Sequence, residues 1–283
     1  MKKIAMLILI ALLVGQVAFF VGYSVDSKTH KALKPKSIKT HFVAKKPDKP
    51  NNGHGKPSGD SGDGSGGGTN DASGDKFAVV IGISDYDGTS NDLRYADDDA
   101  VDWANYLKSL GYQVKLLLDR EATAQAIEDA INWLLSVEDE PGDYVVFAYS
   151  GHGYHDATYG SMVISTDMVG ITEGYFNDAF SQLDSQHAFF FFDACQIGGM
   201  SVLADTEVGR FVAMASNEHS YSYDGTSDIQ NGYFTYYFLE DAIISKGYVY
   251  MEDAFDYATQ MCKSIIKQFK PTSADTFAGG LAL

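Results

Sequence analysis

From Lys76 onward, short apolar runs of strand length alternate with amphipathic stretches of helix length, and no other feature constrains the fold as tightly. KFAVVIGI (Lys76–Ile83), YQVKLLLD (Tyr112–Asp119), DYVVFAYS (Asp143–Ser150), HAFFFFDA (His187–Ala194) and RFVAMAS (Arg210–Ser216) read as buried strands. Between the first two, YADDDAVDWANYLKSLG (Tyr95–Gly111) repeats Ala96, Ala100, Trp103, Ala104 and Leu107 at three- and four-residue spacing, with Gly111 as a stop. TAQAIEDAINWLLSV (Thr123–Val137) obeys the same spacing behind Thr123 as N-cap. Helices over Tyr233–Ser245 and Met251–Phe269, and a last strand over Thr276–Leu283, complete the pattern. Strands that alternate with helices imply crossover connections and a mostly parallel sheet covered on both faces, a three-layer α/β/α arrangement. Ligands of such sheets bind outside the carboxyl ends of the strands, so chemistry-bearing residues are expected directly after them.

Composition divides the 283-residue chain sharply. Residues 1–75 carry a formal charge of +5 and residues 76–283 one of −22. An acidic domain with no basic surface excludes a nucleic-acid partner; it attracts cations or basic peptides, or serves solubility alone. With only Cys195 and Cys262 there is no disulfide framework, although one bridge between them stays open, and the core must hold the fold. At the N-terminus, Met1-Lys2-Lys3 precedes an apolar run, Ile4–Val25, that reads as an export signal long enough to span a bilayer. Residues 1–25 are therefore expected to be a signal anchor or signal peptide, giving a membrane-anchored or secreted protein. Lysines lie on both flanks, and they leave the side of the membrane open. Residues 26–49 are Lys-rich and residues 50–75 Gly/Ser/Asp-rich; together they read as a disordered linker in which His30, His41 and His54 bind nothing. The folded domain is 76–283.

Two of the strand ends carry the chemistry. After DYVVFAY comes SGHG (Ser150–Gly153), and after AFFFF comes DACQIGG (Asp193–Gly199). His152 and Cys195 thus follow consecutive buried strands, each among small residues that leave backbone amides uncovered. The thiolate is the reactive form of cysteine, and a nearby imidazole helps to generate it. A lone cysteine after an apolar strand is equally well a core residue. Cys262 reads as core, at helical spacing from Phe255, Ala258, Ile265 and Phe269, and so do Trp103 and Trp133. His155, His187 and His219 have no partner pattern.

KFAVVIGISDY, LRYADDDA, VVFAYSGHG, FFFFDACQIGG and NGYFTYYFLEDAI, taken in order from about Lys76 to the C-terminus, resemble the caspase-like cysteine peptidases (peptidase family C14), within them the metacaspase and prokaryotic orthocaspase branch. The resemblance implies a caspase-like fold, a mostly parallel six-stranded sheet between helices. It matches His152 to the catalytic histidine and Cys195 to the nucleophile, with the amides of Gly153 and Cys195 as oxyanion hole. In the family the histidine mainly protonates the leaving amine. Asp193, Asp99 and Ser150 match positions of the first specificity pocket. Two carboxylates there favour Arg or Lys in a substrate and repel aspartate. Asp97 and Asp98 read as solvated charges at a helix start.

The implied activity is a cysteine endopeptidase cleaving after Arg or Lys through a thioester acyl-enzyme. Two sequence features depart from the family. Gln196 stands where histidine is frequent, and the segment after SGHG lacks an acid-rich calcium insertion. No cofactor is expected to be required: Asp156 and Asp167 are scattered acids, a weak basis for a Ca²⁺ site, so strict calcium dependence is doubted. Partners are expected to be proteins or peptides with basic residues, including self-cleavage after Lys45, Lys46, Lys49 or Lys56 of the linker. The alternatives are a clostripain- or gingipain-like peptidase with the same dyad, and a catalytically silent caspase-fold binding module.

Overall fold

In the computed structural model, residues 40–42, 74–205 and 207–283 are described; the expected anchor at residues 1–25 and most of the linker lie outside them. Among the described residues, ten strands form two sheets. The larger has the order β10-β9-β8-β4-β2-β3, where β2 is Lys76–Gly82, β3 Gln113–Leu118, β4 Tyr144–Ser150, β8 His187–Asp193, β9 Arg210–Met214 and β10 Thr272–Asp275. The pairs β3/β2, β2/β4, β4/β8 and β8/β9 are parallel, and only β10 runs antiparallel. This is the mostly parallel six-stranded sheet expected. The last strand is Thr272–Asp275, however, and residues 276–283 contain none. Thr276 instead joins the β9 end through its side chain, its hydroxyl donating to the Glu207 carbonyl at 2.6 Å.

Alternation along β8 explains the four phenylalanines. Phe189 and Phe191 face one core with α1 (Ala96–Ser109) and α5 (Met251–Ile265), while Phe190 and Phe192 face the other with α2 (Ala124–Val137) and α3 (Glu173–Phe180). Phe191 stacks on Phe234 and meets Trp103 and Phe238. Each such ring removes on the order of 150–250 Å² from water, which makes this strand the main cement of both layers. Trp103 is fully buried, and Trp133 packs edge-on against Phe77. α2 starts as expected, with the Thr123 hydroxyl accepting from the Ala126 amide at 3.2 Å.

The helix expected over Tyr233–Ser245 begins as a single α turn, α4 (Tyr233–Thr235), and continues as a π-helix over Tyr236–Ser245. α5 stops at Ile265 rather than Phe269. Cys195 and Cys262 are both free thiols, so no bridge joins them.

The second sheet was not legible in the sequence. β5 (Gly153–Asp156), β6 (Gly160–Ile164) and β7 (Val169–Thr172) form an antiparallel meander, with the order β1-β7-β6-β5. Here β1 (Thr40–Phe42) pairs parallel with β7, so three residues of the segment read as linker lie in a strand. β5 occupies the edge of this sheet and begins directly after His152, so the small sheet reaches the carboxyl end of the large one at that point.

Candidate active site

β4 and β8 lie side by side in register, with Ser150 opposite Asp193. Beyond that last pair the two chains stay together: the Gly151 amide donates to the Asp193 carbonyl at 3.1 Å. Gly153 packs so tightly on Cys195 that a Cβ would overlap the Cys195 carbonyl oxygen. His152 and Cys195 therefore stand on adjacent strand ends, two positions beyond a matched pair. Both are nearly buried, at 3% and 5% exposure.

The imidazole is held by a loop that sequence patterning passed over. Its Nε2 lies 2.7 Å from the Asn91 carbonyl, which can only accept, so Nε2 carries a proton. The Tyr86 ring packs against it, with centroids 4.7 Å apart. The loop itself is pinned to the end of β3: the amides of Ser84 and Asp85 donate to Asp119 Oδ1 at 2.8 and 2.9 Å. Arg120 adds a fork to Asp85, at 2.8 and 2.7 Å, and a contact to Asp87.

The Cys195 thiol donates to the Ser222 carbonyl at 3.8 Å. Burial, reinforced by the charges of Asp193 and Asp224, pushes this thiol up to about 12, so it is protonated at neutral pH. Gln196 follows in a left-handed conformation (φ 52°) and donates its amide to the Ser220 carbonyl at 2.9 Å.

Asp99, Ser150 and Asp193 are brought together. The Ser150 hydroxyl donates to Asp99 Oδ2 at 2.6 Å, and the Gly232 amide donates to Asp99 Oδ1 at 2.9 Å. Asp193 accepts from the Ser222 hydroxyl through Oδ1 and from the Thr235 amide and hydroxyl through Oδ2, at 3.0 and 2.9 Å. Burial, and next the neighbouring Asp193, raise the Asp99 carboxyl well above the usual range, while the bonds from Ser150, Gly232 and Asn231 oppose the shift. Asp98 is exposed as expected, but Asp97 is half-buried and accepts from the Ser84 hydroxyl, so it anchors a loop rather than facing solvent.

Sequence reading missed Tyr86, Asn91, Tyr149, Ser222, Gly232 and Thr235. Tyr86 and Tyr149 carried a signal, since both stand beside strand ends. Asn91, Ser222 and Gly232 sit on segments without periodicity, and Thr235 at the start of the expected helix over Tyr233–Ser245. His187 stacks on Tyr144, and His155 meets His219 edge-on. Asp167 accepts from the Ala124 amide at the start of α2. No group of three or more His, Cys, Asp or Glu among the described residues could hold a metal ion, and no described helix is long and apolar enough to cross a membrane.

Comparison with solved structures finds the same fold. The chain superposes on protein GSU0716 from Geobacter sulfurreducens with a TM-score of 0.59 at 15% identity, covering 74% of this chain and 97% of that one. It superposes on caspase-1 from Spodoptera frugiperda with a TM-score of 0.52 at 16% identity, covering 74% and 90%. No curated protein matches. The family model described as "Caspase domain" matches residues 75–269, from the first residue before β2 to beyond α5. With that match over most of its length, the chain belongs to the caspase-domain family of cysteine peptidases.

Proposed function

We propose that the protein is a cysteine endopeptidase of the metacaspase and orthocaspase branch, cleaving after Arg or Lys with Cys195 as nucleophile and His152 as proton carrier. The observation that carries this reading is the meeting of Asp99, Ser150 and Asp193 beside Cys195. Two buried carboxylates there offer four acceptor oxygens to a long cationic side chain, and the same charges disfavour an aspartate.

The proposed reaction closes as proton bookkeeping. As the Cys195 thiol proton passes to Nδ1 of His152, Sγ attacks the scissile carbonyl carbon and the S–C bond forms. The Asn91 carbonyl steadies the imidazolium through Nε2–H. Nδ1 then delivers its proton to the amine as the C–N bond breaks, leaving a thioester that water hydrolyses to the acid and the thiol. The oxyanion would rest on the amides of Gly153 and Cys195. Ladder geometry supports Gly153 in this role. The Ile164 amide donates to the His152 carbonyl at 3.0 Å, which marks 152/164 as the bonded register, so the next pair, 153/163, turns its amides away from each other. β5 is the edge strand, so the Gly153 amide points out of the sheet. We further propose that residues 1–25 anchor the protein to a membrane and that cleavage after a linker lysine frees the domain; no cofactor is invoked.

The deciding experiment measures turnover of Arg-, Lys- and Asp-ended fluorogenic peptides by wild type and Cys195→Ala, with and without chelator. Activity that survives the substitution ends the nucleophile assignment, and preference for the Asp-ended peptide ends the pocket assignment. Intact full-length protein by mass spectrometry, under conditions where peptides are cleaved, ends the self-cleavage proposal.

A further inference from the structure

Tyr86 and Tyr149 are fully buried, and their hydroxyls lie 3.4 Å apart beneath His152. A Cβ at Gly151 would lie 2.6 Å from both oxygens, which explains why no side chain stands there. The Tyr86 hydroxyl accepts from the His152 amide at 2.7 Å. The Tyr149 hydroxyl reaches the Ile164 carbonyl at 2.9 Å and the His152 carbonyl at 2.8 Å.

Continued one step beyond Gly153↔Val163, the β5/β6 register sets His152 opposite Ile164, where an antiparallel ladder would exchange two bonds. One is made directly, from the Ile164 amide to the His152 carbonyl at 3.0 Å. The other, from the His152 amide to the Ile164 carbonyl, is replaced by the two hydroxyls. Proton accounting closes along this chain. His152 N–H donates to Tyr86 Oη, Tyr86 O–H to Tyr149 Oη, and Tyr149 O–H to the Ile164 carbonyl. Burial raises both phenols far above any working pH, so each keeps the one proton the chain requires.

We propose that Tyr86 and Tyr149 are positioning residues, a hydroxyl bridge spliced into the β5/β6 ladder that holds the His152 backbone so that its imidazole meets Asn91 on one side and the reacting atoms on the other. The inference rests on the peptidase reading for its catalytic half only. Tyr86 couples the two parts of the device: its ring touches the imidazole while its hydroxyl holds the same residue's backbone.

Tyr86→Phe and Tyr149→Phe remove the bridge and keep the rings. Misplacing a proton donor affects amide hydrolysis, where the leaving amine must be protonated, far more than hydrolysis of an activated nitrophenyl ester. Each variant is expected to lose about 10- to 100-fold in kcat on an Arg-ended amide with KM little changed. On the matching ester the loss should stay below about 3-fold. Equal losses on both substrates, or undiminished amide turnover, would overturn the proposal.

A second measurement needs no turnover. The His152 Nε2–H proton, hydrogen-bonded to Asn91, should exchange with water about 10-fold faster in either variant by NMR, because the ring it belongs to is no longer fixed. Unchanged exchange in folded variants overturns the bridge even if the protein cleaves nothing, whereas an inert wild type with altered exchange counts against the peptidase reading alone.

Discussion

Asp99 on α1 and Asp193 at the end of β8 close on the same backbone point: a Cβ placed on Gly232 would stand 2.5 Å from Asp193 Oδ2 and 3.1 Å from Asp99 Oδ2. Asp99 is 1% exposed and Asp193 4% exposed, and their oxygens are held by hydroxyls and amides. Such a pair is costly to keep ionised away from water. A folding-stability optimum would not place it there, which fits a site shaped for a cation.

The first expected outcome concerns stability against pH. Asp99 is raised in the folded protein, so folding takes up a proton above the carboxyl's unfolded pKa. Its contribution is therefore present in acid and is lost as pH rises from the ordinary carboxylate range through the raised value. Asp99→Asn should abolish this dependence and raise the melting temperature at pH 8 while removing cleavage after Arg. Thermal melts of both proteins from pH 5 to pH 8 decide it; parallel curves would show that Asp99 is ionised in the folded protein.

A second outcome follows from the crowding at Gly232. Its backbone (φ −59°, ψ 143°) suits any residue, so in Gly232→Ala the strain falls on the Asp193 and Asp99 carboxylates and not on the main chain. The added methyl overlaps Asp193 Oδ2 and crowds Asp99 Oδ2, so the carboxylates must shift. Cleavage after Arg should fall about 100-fold in kcat/KM, the order of loss expected when a charged subsite is blocked. Retained turnover would place the cation elsewhere.

The thiol gives a third. With Cys195 pushed up to about 12, alkylation by iodoacetamide should quicken about 10-fold per pH unit from pH 7 to pH 9.5, without a plateau. Asp193 is among the causes, after burial, so a small guanidinium compound occupying the pocket should lower the thiol pKa and accelerate alkylation at pH 7. Slower alkylation on addition of methylguanidinium would mean that the pocket shields the sulfur instead.

Phe191 tests the scaffold. It is fully buried between Trp103, Phe234 and Phe238. Phe191→Ala should cost about 3–5 kcal/mol, read from the urea midpoint. A smaller loss would mean that the neighbouring rings collapse into the gap.

The large sheet was legible because β2, β4, β8 and β9 are buried on both faces and read as apolar runs, with Phe189–Phe192 the extreme case; β3, expected to be buried, is an edge strand and only partly covered. His152 and Cys195 were legible for a related reason, since strand ends in a parallel sheet are where side chains converge. The β5–β7 meander was not: its strands have four or five residues, too short to establish a period, and Tyr154 to Thr166 reads as a loop. The residues that hold the site were hidden for a different reason. Asn91 acts through its carbonyl and Gly232 through its amide, atoms that every residue possesses, and Ser222 and Thr235 lie on a segment joined to the site only by the folded chain. The pairing of Asp99 with Asp193 came from a family resemblance; no spacing could have provided it.

The Ser150–Asp193 pairing has a consequence for how this site can change over time. The distance from that matched pair to His152 and to Cys195 is a count along the backbone, two steps on either strand. Side chains behind the strand ends can be exchanged freely as long as they fill the same volume, and at 15–16% identity to two solved relatives the fold is retained. One residue gained or lost between Tyr144 and His152, or between His187 and Cys195, would shift one reactive group against the other and turn it toward the opposite face. The site is therefore tolerant of spelling and intolerant of length.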